Sequence, residues 1–352
     1  MVPALAVADA LRDSGATVSF LGARDRAEAE LVPAAGYRID LLAVRGLDRR
    51  NPLRAAGAAW LAGRAVLAAR AVLRERGADA VLGGGGYVAG PAGLAALALR
   101  LPLVLTEADR RLGLANRLLV RRARRVCLAF AIPGRESDRY LVTGRPVPAT
   151  IRSADRGAAR RRFGIAADDR CLLVFGGSQG ARSINLAALD AFLPDAGGRD
   201  APPGYHVLHI SGHRDHAEAV RRLAQAGHPG RYTLLAYEPD LADALAACDL
   251  VLARAGGSIF EIAAAGRPAI LVPYPFAAGR HQHANAEWMT EAGAAIALED
   301  GELGAKRLRG LVDELLADSE RLATMAAASG SLARPDAAER IATEVLAAAA
   351  AS

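Results

Sequence analysis

The chain has 352 residues, 52% apolar and 23% charged, enough for two domains of roughly 100–200 residues each and the reverse of the disordered signature. Three cysteines, Cys127, Cys171 and Cys248, are far apart and odd in number, which excludes a disulfide framework and a paired-cysteine zinc knuckle. The formal charge of +6 is uneven: residues 1–150 hold 23 arginines against 13 acids, giving +10, and the remainder 21 bases against 25 acids, giving −4, so the first half is expected to meet a polyanion or an anionic membrane surface.

The N-terminus, Met1-Val2-Pro3-Ala4-Leu5, has no positive n-region and runs straight into an amphipathic pattern, unlike a signal peptide. A helix is predicted over Pro3–Arg12 with a glycine stop at Gly15, followed by strands at Thr17–Leu21 and Arg38–Val44. Asn51–Arg76, after Arg49 and Arg50, reads as a helix of Ala, Leu, Val and Trp60 interspersed with Arg54, Arg64, Arg70, Arg74 and Arg76. Two readings stand for it: a crossover helix with solvated arginines, or a basic amphipathic helix lying in a membrane interface. Ala80–Leu99 is 20 residues without a charge, nominally long enough to span a bilayer. Gly83–Gly86 and Gly90-Pro91 instead divide it into a strand, Ala80–Leu82, a glycine loop and a helix. Strands at Leu103–Thr106 and Arg125–Phe130 complete the first run, and Pro146 and Pro148 break the pattern near Gly144–Arg152. A second run places strands at Cys171–Phe175, His206–Ile210, Tyr232–Leu235, Leu250–Ala253 and Ala269–Val272, and an alanine-rich helix at Asp336–Ala350.

Apolar strands alternating with longer helical patterns signal parallel βαβ sheets. The expected fold is α/β, with two Rossmann-like doubly wound domains, 1–147 and 148–335, and a last segment, 336–352, folding back on the first. Ligands of such sheets sit beyond the carboxyl ends of the strands, here in a cleft between the domains. A doubly wound domain begins with a strand and a glycine turn. This chain begins at the following helix, so the first strand of the N-terminal domain is expected to be missing.

The segments able to carry chemistry are glycine turns between a strand and a helix. In Gly176-Gly177-Ser178-Gln179-Gly180-Ala181-Arg182, glycines permit close backbone approach, and N–H groups at a helix N-terminus stabilise phosphate. The alternative is a tight structural turn. The segment has neither the Walker lysine nor the G-x-G-x-x-G spacing of a nicotinamide site. Arg254-Ala255-Gly256-Gly257-Ser258-Ile259-Phe260-Glu261 repeats the arrangement. Glu261 can accept from ribose hydroxyls or simply stabilise the helix dipole. Gln282 and Asn285, in Gly279–Asn285, suit sugar hydroxyls. His281 and His283 point apart on a helix, which disfavours a metal clip, and no Asp-x-Asp pair is present. Gly83–Pro91 and Thr106-Glu107-Ala108-Asp109 follow strands of the first half. The glycine run there either packs around another backbone or admits a bulky phosphorylated ligand. No G-x-S-x-G elbow supports a serine triad.

GGGGYVAGP (Gly83–Pro91), GGSQGAR (Gly176–Arg182), RAGGS with Glu261, AAAGRPAILVPYP (Ala263–Pro275) and HQHANA (His281–Ala286) occur in one order over nearly the whole chain. Together they resemble the MurG family of peptidoglycan glycosyltransferases. The resemblance implies a GT-B architecture and a hexosyltransferase that moves N-acetylglucosamine from UDP-N-acetylglucosamine, with inversion and without metal or other cofactor. The implied acceptor is the 4-hydroxyl of undecaprenyl-diphosphate-linked N-acetylmuramyl-pentapeptide. Carried over by position, Ser178, Gln179, Gly180 and Arg254 meet the diphosphate. Glu261 takes the ribose, Gly257, Ser258, Ile259 and Phe260 line the donor pocket, and Glu238 falls where main-chain groups read the uracil. Gln282, Asn285, Asp109 and Arg145 lie toward the donor sugar, and Gly85, Gly86 and Tyr87 face the acceptor. Further implied partners are an anionic membrane surface at the cytoplasmic face and cell-wall synthesis proteins, with no nucleic acid.

The departures are specific. The family's glycine–histidine loop, with the presumed general base, would lie upstream of Met1, leaving Glu107 as a possible catalytic group within the chain. The expectation is that DNA upstream encodes that strand and loop and that the chain as written is weakly active or inactive. Thr106 and Asp109 stand where the family has His and Asn. Pro148 replaces the arginine of Gly-Asn-Pro-Val-Arg, with Arg145 displaced toward it, and the RAGGS segment is one residue short. Competing readings are another GT-B UDP-sugar enzyme (a transferase or an epimerase), a non-catalytic UDP-sugar-binding protein, and, least supported, a nicotinamide dehydrogenase.

Overall fold

The computed structural model describes residues 1–24, 26–44, 52–177, 180–194, 204–277 and 280–351, leaving aside the side chains of 52–60 and 62. In chain order the elements are α1 (Val2–Asp13), β1 (Ser19–Ala23), α2 (Glu28–Ala34), β2 (Arg38–Leu42), α3 (Pro52–Glu75), β3 (Val81–Gly83), α4 (Gly86–Ala98), β4 (Leu103–Glu107), α5 (Leu114–Leu119), β5 (Arg125–Leu128) and β6 (Tyr140–Val142). There follow α6 (Thr150–Ser153), α7 (Arg156–Phe163), β7 (Cys171–Phe175), α8 (Arg182–Phe192), β8 (His206–Ile210), α9 (His213–Gln225), β9 (Tyr232–Leu235), α10 (Leu241–Ala247) and β10 (Leu250–Arg254). The chain ends with α11 (Ile259–Ala264), β11 (Ala269–Val272), α12 (His281–Glu291), β12 (Ala295–Ala297), α13 (Ala305–Ala317), α14 (Ser319–Ser331) and α15 (Ala337–Ala350). These divide into two compact units, Met1–Pro148 with Arg334–Ser352, and Ala149–Ala333.

The second unit is a six-stranded parallel sheet in the order β12-β11-β10-β7-β8-β9. Its first strand, β7, lies in the middle, and the chain builds outward to β9 before returning to β10 on the other side. Every residue of β7, β8 and β11 is buried, as expected of parallel strands covered by helices on both faces. Leu172, Val174, Val207, Leu250, Leu252, Ile270 and Val272 form one cluster with Ile184 and Phe192 of α8 and Leu308 and Val312 of α13. Below the sheet Asp249 accepts from Arg156 Nη2 (2.7 Å), Arg160 Nη2 (3.0 Å) and the Cys171 N–H (2.9 Å), tying α7 to the start of β7.

In the first unit the parallel sheet comes in two pieces, β1-β2 and β3-β4-β5-β6. The same helical layers cover both pieces. Leu21 and Leu42 join Val81, Leu105 and Val126 in a cluster with Ala69 of α3 and Ala95 of α4. Val18 and Leu82 join Val104, Val7 of α1 and Ile341 of α15 on the other side. Arg125 Nε donates to Glu344 Oε2 (2.6 Å), fastening α15 to β5.

The strand, loop and helix read from residues 80–99 are β3, Gly84-Gly85 and α4. Two short strands carried no sequence signal: β6 and β12 are three residues each, with mixed burial. Among the described residues no helix is long and apolar enough to cross a membrane. The cysteines are buried and unpaired, and burial pushes the thiols of Cys127 and Cys248 up to about 12 and about 11, so they stay protonated.

Ile341 is 1% exposed and touches both α1 and the sheet. Ile341→Ala is expected to cost the first unit about 2–5 kcal/mol, read as a lower midpoint in urea unfolding.

Candidate active site

The two glycine turns of the second unit are brought together by strand order. In the parallel pairing of β7 with β10, Phe175 is opposite Ala253. Gly176, just past β7, therefore lies beside Arg254, the last residue of β10, at the point where the strand order reverses, the ligand-binding position of open α/β sheets.

The first turn needs glycine for two separate reasons. Gly177 (φ +87°) and Gly180 (φ +72°) occupy the left-handed region, closed by the Gly180 N–H to the Gly177 carbonyl at 2.9 Å. A Cβ on Gly176 would lie 2.2 Å from the Ala181 nitrogen, and one on Gly180 2.4 Å from the Ser211 carbonyl oxygen. The turn delivers the chain into α8, whose first N–H groups have no intrahelical partner. Ser178 and Gln179 lie outside the described residues.

The second turn opens α11 and is tied to the first. Arg254 Nη2 donates to Ser183 Oγ (2.7 Å) in the first turn of α8, and Nη1 lies 2.5 Å from Asp300 Oδ1. Ser183 Oγ also donates to Asp300 Oδ1 (2.7 Å), and Tyr274 stacks on the guanidinium with its centroid 5.3 Å away. The charge of Arg254 is thus already met by Asp300, and its fork braces the two turns. Gly257 and Ser258 are half-buried, as is Glu261, while Ile259 and Phe260 are buried, with Phe260 against Trp288.

Nearby side chains are also engaged. Asn285 is buried and donates to the Ala255 carbonyl (2.9 Å), and Gln282 Oε1 accepts from the Tyr274 N–H (2.9 Å). The Glu238 carboxylate is gripped by Arg162 Nη2 at 2.8 and 3.0 Å and accepts from the Asp240 N–H (2.9 Å). Its side chain thus holds the loop. His283 lies 3.4 Å from Glu299, and among the described residues no group of three or more His, Cys, Asp or Glu is placed to hold a metal ion.

In the first unit, Gly85 (φ +81°) and Gly86 (φ +74°) open α4, and a Cβ on Gly84, Gly85 or Gly86 would meet nothing within 4 Å. Only Gly83 packs tightly, against Leu105. Among the described residues the loop is therefore not wrapped around another backbone. Tyr87 beside it is 53% exposed, with Arg26 over its ring. Glu107 is buried and accepts from the Gly113 N–H (2.7 Å), Asn116 Nδ2 (2.9 Å) and the Asp109 N–H (3.2 Å). Three donors leave this carboxylate holding the 108–113 loop. Asp109 is exposed and Arg145 half-buried. Of the basic helix, Arg49, Arg50 and Asn51 lie outside the described residues, as do the side chains of Arg54 and Trp60.

One group of residues carried no functional reading from the sequence. His209, 0% exposed in β8, lies between Tyr232 OH (2.7 Å, at Nδ1) and Asn185 Oδ1 (3.1 Å, at Nε2). The amide oxygen can only accept, so Nε2 carries the proton and Nδ1 accepts from the tyrosine. Asn185 Nδ2 donates to the Ser211 carbonyl (2.7 Å) and to Asp215 Oδ2 (3.0 Å). Asp215 meets Arg182 at 3.3 Å and Arg214 at 3.4 Å. Burial raises the Asp215 carboxyl, but hydrogen bonds from Arg214, Asn185 and Arg182 outweigh it and hold the group below the usual carboxylate value. Burial, assisted by His216, lowers His209 to about 3. The signal available in the sequence was a second histidine, after His206, in a strand whose other residues, Val207, Leu208 and Ile210, are apolar.

Comparison with known proteins follows the same division. Residues 1–128 match the glycosyltransferase family 28 N-terminal domain, and residues 171–341 match the family 28 C-terminal domain. Fold and site together define a glycosyltransferase of the GT-B class. The chain is 39% identical to the UDP-N-acetylglucosamine–N-acetylmuramyl-(pentapeptide) pyrophosphoryl-undecaprenol N-acetylglucosamine transferase of Moorella thermoacetica, over 98% of this chain and 94% of that protein. It is 43% identical to the protein so named in Rubrobacter xylanophilus, over 97% and 98% respectively. The crystal structure of Acinetobacter baumannii MurG is similar with a TM-score of 0.74 and 28% identity, covering 98% of this chain and 95% of that one. The chain belongs to this transferase family, the MurG family.

The folded His209 binds a proton only near pH 3, whereas an unfolded histidine does so near its ordinary value of 6.5. Between these values the unfolded state holds the extra proton, so stability rises with pH, by about 1.4 kcal/mol per unit for this one group. Asp215, held low, adds a loss in the same direction as pH falls through its folded value. His209→Asn is expected to flatten the dependence of Tm on pH between 4 and 6.5, measured by calorimetry.

Proposed function

We propose that this chain transfers N-acetylglucosamine from UDP-N-acetylglucosamine to the 4-hydroxyl of undecaprenyl-diphosphate-linked N-acetylmuramyl-pentapeptide, the reaction named for its relatives. The reading is carried by the adjacent glycine turns at the ends of β7 and β10. They suit a diphosphate held by main-chain N–H groups and helix N-termini. The acceptor oxygen attacks the anomeric carbon as its proton leaves to a base. The bond to the diphosphate oxygen breaks on the opposite face, and the configuration inverts. Negative charge grows on the departing UDP, where fixed dipoles stabilise it without reorganising.

Within this reading Ser178, Gln179 and Gly180 hold the diphosphate, and Arg254 acts by bracing Ser183. Glu261 takes the ribose, the main chain at Glu238 reads the uracil, and Gly257, Ser258, Ile259 and Phe260 line the pocket. Gln282, Asn285, Asp109 and Arg145 serve the donor sugar. The uncrowded loop of Gly85, Gly86 and Tyr87 takes the acceptor's diphosphate, and Glu107 holds its neighbour, the 108–113 loop.

UDP and UDP-N-acetylglucosamine are expected to bind competitively in calorimetry, with UDP released from the donor weakly at most, and only when the lipid-linked acceptor is added. Failure to bind UDP overturns the reading, and release without that acceptor favours an epimerase or hydrolase. Glu261→Ala is expected to weaken UDP about tenfold, the scale of a lost charged hydrogen bond, and to leave 2′,3′-dideoxy-UDP unchanged.

The chain is proposed to work at the cytoplasmic face of the membrane, held at an anionic surface. Leu67 of α3 and Leu118 of α5 are 65% and 70% exposed, on two helices that both pack against α4. Arg117 and Arg121 of the α5 segment border a pocket with Arg135, Arg139 and Tyr140. Exposed leucines among arginines suit an interface of acyl chains and anionic headgroups. Sedimentation with phosphatidylglycerol vesicles is expected, much weaker with phosphatidylcholine alone, and reduced by Leu67→Asp with Leu118→Asp. Equal sedimentation with both lipids, or none, would count against the surface.

A further inference from the structure

The hydrogen-bonded series Tyr232–His209–Asn185–Asp215 is an unusual thing to place under a parallel sheet. An apolar side chain at 209 would continue β8 without the cost of burying an imidazole, an amide and a carboxylate. Each polar group in the series is satisfied, and the order of donors runs one way: tyrosine hydroxyl to imidazole, imidazole to amide oxygen, amide nitrogen to carboxylate and carbonyl. Its far end divides into two supports of the first glycine turn. One is the Ser211 carbonyl, fixed by Asn185 Nδ2 at 2.7 Å, against which Gly180 closes so tightly that a Cβ would stand 2.4 Å from the oxygen. The other is Asp215, which meets Arg182, the first residue of α8, at 3.3 Å.

We infer that His209, Asn185 and Asp215 are positioning residues for the donor's diphosphate, setting the Gly176–Arg182 turn without touching the nucleotide. The inference rests on the UDP-binding reading above. Main-chain N–H groups bind phosphate only if their directions are fixed, and fixing them falls to residues behind the turn. Asn185 is the hub. It is 1% exposed, sits one turn into α8, and its amide is the single group that reaches the imidazole, the Ser211 carbonyl and Asp215 together.

The test compares UDP with uridine, which lacks the diphosphate, by calorimetry or ligand-observed NMR on the full chain. Asn185→Leu, close in volume, is expected to weaken UDP about tenfold, the scale of losing hydrogen bonds to a charged group, with uridine unchanged within about twofold. Tyr232→Phe removes only the first hydroxyl and is expected to weaken UDP two- to threefold. Asp215→Asn keeps the amide contact but loses the pairing with Arg182, and falls between them. Tyr232→Phe and Asp215→Asn carry the comparison if Asn185→Leu does not fold. A lower Tm with UDP and uridine affinities unchanged, or a loss common to both ligands, assigns the series to stability alone and overturns the inference. A wild-type chain that binds uridine but not UDP overturns the donor reading itself, a result separate from any difference among variants.

Discussion

The parallel pairing of β7 with β10 is the constraint on which the site depends. These strands are neighbours in the sheet but not in the chain, because β8 and β9 are laid down on one side before β10 returns on the other. Each strand ends in a glycine turn that opens a helix, and the register setting Phe175 opposite Ala253 sets the turns side by side. Slipping the register by one residue would turn every side chain to the other face. The buried faces of β7 and β10 leave no room for such an alternative. The same apolar packing that stabilises the unit therefore fixes where the two glycine turns lie.

Around these turns, charged side chains are paired with each other. Arg254 is matched by Asp300, Glu238 by Arg162, and Asp215 by Arg182 and Arg214. In the proposed reading a diphosphate is met by main-chain N–H and the partial charge of helix N-termini, which do not move when charge develops. The paired side chains keep that backbone in place. Arg254 shows the difference between the two roles: in sequence it is a cation beside a phosphate turn, and in the fold it bridges α8 to the end of β11.

The first unit solves its packing differently. Its sheet is in two pieces, yet Leu21 and Leu42 on one piece share a cluster with Val81, Leu105 and Val126 on the other. Helix layers and the shared cluster, rather than strand hydrogen bonds, join the two pieces. At the end of β3 the glycine run is uncrowded, and at the end of β4 a buried glutamate is committed to its own loop. Small residues uncrowded among the described residues and a carboxylate with three donors are different in kind: the first leave open space, and the second is committed to its own loop.

The sequence alone determined the alternation of strands and helices, the glycine turns that need left-handed backbone, and the family resemblance carried by those turns. Strand periodicity and the steric limits on φ act over a few residues, so they are written locally. The three-residue strands β6 and β12 are too short to show a period and were not read, whereas the equally short β3 was marked by the glycine run that follows it. Tertiary structure decided the partners: which acid neutralises Arg254, that Glu107 is occupied by Gly113 and Asn116, and that His209 joins Asn185 and Asp215 behind Gly180. Those contacts join residues from separate strands and helices, and their proximity exists only once the sheet order and register are set.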